Sequence, residues 1–395
     1  MLGLRDNKRR KAICLVSVLI FLLVSVFMGN SALAAAAGKT YEQYVASIPD
    51  GCEPVPRDCF EKAVAGKTFA MYDWAAWWPE ELYTDFEKEF GIKIVRDNYP
   101  NLDEALAKFR LNPKTPYDFW LTNPKSVWYM KNWNILEQLN HDWIPNVNRY
   151  MAKDVQNASW DPGYKYTVLT SLGYDAYVLN TKFIDRNDPR IPSWKFIFHG
   201  WDVYKDKLIM RNEMNRVIGN TLKYLGYSLN STDPKELEEA EKVLIDLKPH
   251  IMAFNSWPKR AIMAGEVWAV QGVVHDYLSL GKLAGPTNPF LPSYPPNGCL
   301  ISPMLAVIPT GGNNPAACYL FLNYLYRPHN FATLINGIAY GHGHTGITDL
   351  TDEEVTKWMT PPEEGYREKC EVLLPPAFTG EGEKLRAKIW EKLKK

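Results

Sequence analysis

The chain has 395 residues with 45 basic and 45 acidic side chains, so its formal net charge is zero. Without residues 1–34, a predicted leader, 40 basic side chains face 44 acidic ones, a balance without a basic cluster that excludes a phosphate-neutralising nucleic-acid binder. About 360 residues then remain, too many for one ordinary core and suited to two lobes.

Arg5, Lys8, Arg9, Arg10 and Lys11 precede an apolar run from Ala12 to about Met28, and Ser31-Ala32-Leu33-Ala34 supplies small residues before a cleavage point. This order predicts a cleavable secretory signal peptide over residues 1–34 and a periplasmic, soluble mature chain. The alternative is a retained anchor, because the run is near the lower length limit for spanning a bilayer. Residues 35–66 form an N-terminal extension. Five cysteines follow the leader: Cys52, Cys59, Cys299, Cys318 and Cys370. In an oxidising compartment Cys52 and Cys59, which flank a proline-rich loop, are the expected pair, and the odd number leaves at least one thiol free.

From Lys67 strands and helices alternate. Lys67–Trp74 reads as a strand, and a helix from Pro79 to about Phe90 carries Leu82, Phe86 and Phe90 on one face before stopping at Gly91. Ile92–Asn98 is the second strand, Asn101 caps a helix bearing Leu102, Leu106 and Phe109, and Tyr117–Leu121 is the third strand. That alternation predicts a parallel sheet covered by helices.

The apolar stretch Val168–Leu179 is longer than a typical strand and is expected to leave the first lobe (67–174) for the second (175–302). There, Lys207–Asn212 and Glu266–Val274 read as strands, Glu213–Leu225 and a segment opening at Asp233-Pro234 as helices, and Pro286–Pro296 as a loop. Met304–Ile308 begins the return to the first lobe (303–345), followed by helices at Ala316–Leu325 and Phe331–Ile335. Residues 346–395 hold C-terminal helices, at Asp352–Met359 and Lys384–Lys395. Two α/β lobes joined by two crossings make a hinged clamp whose cleft lies beyond the carboxyl ends of the strands.

Three stretches resemble a known family, the periplasmic spermidine/putrescine-binding proteins of ABC importers. They are Phe69-Ala-Met-Tyr-Asp-Trp74 with Trp77-Trp78-Pro79-Glu80 and Phe90-Gly91-Ile92-Lys93; Leu225-Gly226-Tyr227-Ser228 with Asn230-Ser231-Thr232-Asp233-Pro234-Lys235-Glu236; and Ala253-Phe254-Asn255-Ser256 with Met263-Ala264-Gly265-Glu266-Val267. The resemblance implies a two-lobed periplasmic-binding-protein fold, each lobe a mainly parallel sheet flanked by helices. It also implies a monomer that binds a small amine and meets a membrane permease, without cofactor. Aromatic rings would box the ligand's cationic amine and carboxylates would neutralise it.

On that resemblance Trp74, Trp77 and Tyr340 are aromatic ligand contacts and Asn123 a polar one. Glu213 stands where the family has an aspartate, and Arg216 where it has a glutamate. Met304 replaces another carboxylate, while Val273 and Ser302 replace two tryptophans. Arg216 would repel an ammonium group but clamp an anionic one, so a cationic or zwitterionic amine is expected, with polyamine as the family default. A betaine, an aminophosphonate or a metal ion is the alternative.

His342-Gly343-His344, with His275-Asp276, raises a metal site, against which stand two solvated loop histidines. Thr310–Pro315 before a helix is read as a turn rather than an anion site. A secreted enzyme is a distant alternative, as neither Gly-x-Ser-x-Gly nor His-Glu-x-x-His occurs.

Overall fold

The computed structural model describes residues 38–277, 288–353, 355–356 and 365–395. The expected leader lies outside them, as does half of the expected helix Asp352–Met359.

The extension folds as two helices, α1 (Tyr41–Ala46) and α2 (Arg57–Ala65). Thr40 and Gln43 form a reciprocal capping box on α1, and Tyr44, Cys59, Phe60 and Ala63 are buried in the first lobe's core. Cys52 and Cys59 are not bonded. The expected pairing fails because Cys59 lies inside α2 with its sulfur turned into the core, 3.8 Å from the Ala316 carbonyl.

Then come β1 (Thr68–Trp74), α3 (Glu80–Phe90), β2 (Lys93–Tyr99), α4 (Leu102–Leu111), β3 (Phe119–Thr122) and α5 (Pro124–Asn132). The apolar residues Leu82, Phe86 and Phe90 of α3 are buried, as their four-residue spacing requires. Asn101 caps α4 by accepting the Glu104 N–H at 2.8 Å. β1 pairs in parallel with both β2 and β3.

β4 (Val168–Asn180) is buried at every residue and runs from one lobe into the other. The second lobe adds β5 (Leu208–Met210), α6 (Met214–Leu225), α7 (Pro234–Leu247), β6 (Ile251–Phe254) and β7 (Ala269–Val273), with β5 parallel to β6 and β7. β8 (Phe290–Ser293) pairs with β4 where a loop was expected across Pro286–Pro296. Pro292 is tolerated because β8 pairs only with β4, off the main strand order, leaving no ladder on its other side to interrupt. β9 (Leu300–Val307) is the second crossing, longer than the expected Met304–Ile308, and pairs antiparallel with β3 and β4. The chain continues in α8 (Pro315–Leu325), α9 (Pro328–Ile338) and α10 (Gly380–Lys394).

The strand order is β2-β1-β3-β9-β4-β7-β5-β6, with β8 added on β4. Two apolar cores meet along it. Leu169 and Leu305 belong to one, Leu172 and Ile301 to the other, so the boundary cuts β4 and β9 at the same level. The β4–β9 register breaks between Leu169 and Ser171 at that boundary. The protein is therefore a two-lobed α/β clamp with its hinge in a shared sheet. The carboxyl-terminal residues Tyr366, Cys370, Val372, Ile389 and Leu393 pack into the second core.

Candidate ligand-binding cleft

Alternation along β4 sends Gly173 and Asp175 to one face of the sheet and Leu172 and Tyr174 to the other. A Cβ at Gly173 would sit 2.8 Å from Val273 Cγ1 and 3.2 Å from Tyr340 Cε1, so the missing side chain lets Tyr340 lie against the hinge strand. Trp77 packs edge-on to Tyr340 at 5.0 Å between centroids. The indole Nε1 of Trp77 is buried without a hydrogen-bond partner among the described residues.

Opposite this aromatic pair, β5 ends at Met210 and delivers Arg211, and Glu213 stands at the N-cap position of α6. Glu213 bridges two guanidiniums, accepting from Arg211 Nε and Arg216 Nε at 2.5 Å each. Arg216 Nη1 also donates to Asp175 at 2.8 Å and to Ser302 at 2.6 Å. Arg211 Nη1 donates to Asp276 at 3.0 Å, and the Tyr340 hydroxyl donates to the same carboxylate. The far oxygen of Asp175 accepts from Gln271 at 2.5 Å and Asn220 at 3.1 Å.

One continuous network thus joins Tyr340, Asp276, Arg211, Glu213, Arg216 and Asp175. Its two arginines and three carboxylates leave one uncompensated negative charge. Burial pushes the Glu213 carboxyl up, but Arg216 and Arg211 outweigh it and hold it at about 2. Burial raises Asp175, against the pull of Arg216 and Arg211. Its three donors each require an acceptor, so Asp175 serves as a carboxylate.

Of the residues expected at the site, Trp77 and Tyr340 touch each other, and Glu213 and Arg216 form an ion pair beside them. Trp74 is half-buried on the first lobe, with its ring 4.6 Å from Tyr99. The Asn123 side chain caps α5, accepting the Ser126 N–H at 3.0 Å, a role that occupies its oxygen. Trp78 is 4% exposed and belongs to the first core.

Arg216 is not a free anion clamp: Glu213, Asp175 and Ser302 already occupy its Nε and Nη1. Asp276 entered sequence reasoning only as a candidate metal ligand, whereas Asp175 and Arg211 escaped it, although a lone charge inside the apolar run Tyr174–Leu179 was a signal. So did Trp257, which is 57% exposed with its ring centroid 5.9 Å from the Arg211 guanidinium carbon.

His344 is not solvated, contrary to expectation, and His342 is half-buried. His344 is 3% exposed and stacks on Tyr150 at 4.9 Å. Its Nδ1 accepts the Gly346 N–H at 3.0 Å and its Nε2 faces the Tyr326 carbonyl at 3.1 Å, so the neutral Nε2–H ring satisfies both contacts. Among the described residues no group of three or more metal-ligating side chains gathers.

A family model described as bacterial extracellular solute-binding protein matches residues 81–361. The chain belongs to that family. A spermidine/putrescine-binding periplasmic protein of Salmonella typhimurium is 27% identical over 289 residues, which cover 73% of this chain and 81% of that protein. One of the same description from Escherichia coli is 26% identical over 294 residues, covering 74% and 82%. Among solved structures, the spermidine/putrescine ABC transporter substrate-binding protein PotD of Streptococcus pneumoniae superposes with a TM-score of 0.72 at 21% identity, over 83% of this chain and 98% of that one. That likeness speaks for the fold. The solute-binding family is not one of enzymes, and no described helix of this chain is long and apolar enough to cross a membrane.

Proposed function

We propose that this solute-binding protein captures a small cationic or zwitterionic amine in its cleft and presents it to the membrane permease of an ABC importer, without catalysis. The ligands for which its relatives are named make putrescine and spermidine the first candidates. One observation carries the reading: a charge network with a single surplus negative charge joins the Trp77–Tyr340 pair through the Tyr340–Asp276 hydrogen bond. An ammonium group seated there would gain ring-face attraction and a charge-assisted bond together. The surplus is one, whereas polyamines carry two or more positive charges. This favours a monoamine or a zwitterion over a polyamine.

Delivery to the periplasm through the leader at 1–34 belongs to the same reading, and amino-terminal sequencing of secreted protein tests it. For the ligand, calorimetric titration with putrescine, spermidine, glycine betaine, amino acids and an aminophosphonate is the direct test. Tighter binding of a singly charged amine or zwitterion than of spermidine is expected. Failure of every amine to bind would sink the proposal, and tight spermidine binding alone would remove the charge-count argument.

A further inference from the structure

The carboxyl-terminal segment from Gly365 forms a strap over the face of the hinge opposite the cleft. Tyr174 and Ile301, which point to that face, pack with Tyr366 in the second core, and Tyr174 and Tyr366 lie 5.8 Å apart. The strap adds a parallel bridge, Leu300 to Glu371, at the start of β9. The Glu371 N–H donates to the Cys299 carbonyl at 3.0 Å, and the Ile301 N–H donates to the Glu371 carbonyl at 2.8 Å. The two backbones are so close that a Cβ at Gly298 would lie 2.1 Å from the Lys369 carbonyl oxygen. Immediately beside this bridge the sulfurs of Cys299 and Cys370 are 3.6 Å apart.

We infer that Cys299 and Cys370 form a disulfide that staples the strap to the hinge strand. Small side-chain rotations close 3.6 Å to a bonded separation of about 2 Å, because paired backbone already sets the two cysteines side by side. A disulfide donor is the oxidant. The Cys370 thiolate attacks a donor sulfur and expels one donor thiolate. The Cys299 thiolate then attacks Cys370 Sγ and expels the second. The protein loses two protons and two electrons, and the donor disulfide is reduced to two thiols.

Cys370 suits the first role. The Cys299 thiol lies against its sulfur and the Cys299 N–H donates to it at 3.3 Å, contacts that lower its pKa. It also lines a cavity of about 280 Å³ together with Trp160, Leu172, Arg367 and Glu371, which gives a small donor a way in. Cys59 and Cys318 are wholly buried.

The staple has a mechanical meaning. The strap is held to the second lobe, where Arg386 donates to the Leu229 and Ser231 carbonyls at 2.6 and 2.9 Å. It also reaches the first lobe through Phe378, packed on Trp128 and Tyr129, and through the Arg367–Asp154 ion pair. Fixing its root at β9 makes it a tie across the back of the hinge.

The test uses the full purified protein incubated with oxidised glutathione, denatured, alkylated without reductant, digested and weighed. A linked pair of peptides containing Cys299 and Cys370, lost on reduction, is expected, with Cys59 and Cys318 alkylated. Alkylation of both Cys299 and Cys370, or linkage of either to another cysteine, would overturn the inference. Reductant should lower the melting midpoint of the oxidised wild-type protein by several degrees and leave Cys370→Ser unmoved; an equal drop in both would also overturn it. Because the bond is formed in vitro, loss of the export reading would leave this result intact.

Discussion

Arg216 shows how neighbours decide a side chain's chemistry. On sequence it is a cation one helical turn from Glu213; in the fold it balances Asp175, which is 0% exposed. Arg216→Met should leave that carboxylate with only the amides of Gln271 and Asn220 and cost about 3–5 kcal/mol of stability. Asp175→Asn added to the same chain should recover much of the loss in urea unfolding, whereas additive losses would uncouple the pair. Trp77→Ala should weaken amine binding by about 0.5–2 kcal/mol, roughly 3- to 30-fold in Kd, with an unchanged unfolding midpoint; calorimetry reads the difference. The place of Trp77 just after the first strand singled it out in the sequence, and its contact with Tyr340 fits that place. Arg211 and Asp276 were not, because they meet across 65 residues of chain and no local spacing encodes such a contact.

At the level of elements, periodicity located β1, α3 and α6 to within a residue or two and the starts of α4 and α7, since each buries one regular face. It failed at β8, where Pro292 argues against a strand and only the pairing with β4 makes one. It also failed for the loop after α9, whose histidines looked solvated because polarity and glycine content say nothing of Tyr150, Tyr326 and Phe331 around them. Burial lowers both His342 and His344 to about 4, from 6.5. Between pH 6.5 and 4 the unfolded chain therefore binds more protons, and stability falls as pH drops, by up to about 1.4 kcal/mol per pH unit for each histidine. Asp73 works in the opposite sense. Burial raises it to about 6 from 3.8, so the folded state holds its proton between those values and gains stability as pH falls. Two histidines against one aspartate leave a net loss. Urea midpoints at pH 7, 6 and 5 should decline in the wild type and, with Asp73 left unopposed, rise in a His342→Gln, His344→Gln variant; parallel curves would refute the assignment.

For the molecule as a whole, ligand binding and hinge geometry meet at Gly173. Gly173→Ala would press on Val273 and Tyr340, costing about 1–3 kcal/mol of stability and displacing the Tyr340 hydroxyl from Asp276. Unfolding and titration should both register the change, and unaltered affinity would detach Tyr340 from the ligand. The two-lobed plan was readable because each lobe repeats the strand–helix alternation, but the strap's attachment was not, since its anchor residues lie far from Tyr366–Lys394 in sequence. The register break between Leu169 and Ser171 has a consequence for how such a body can move. A sheet that passes unbroken through both halves resists shear and twist, and yields like a leaf spring where its ladder is weakest. Opening and shutting then reduce to one angle about one line, so a single pair of optical probes straddling that line would follow the entire cycle.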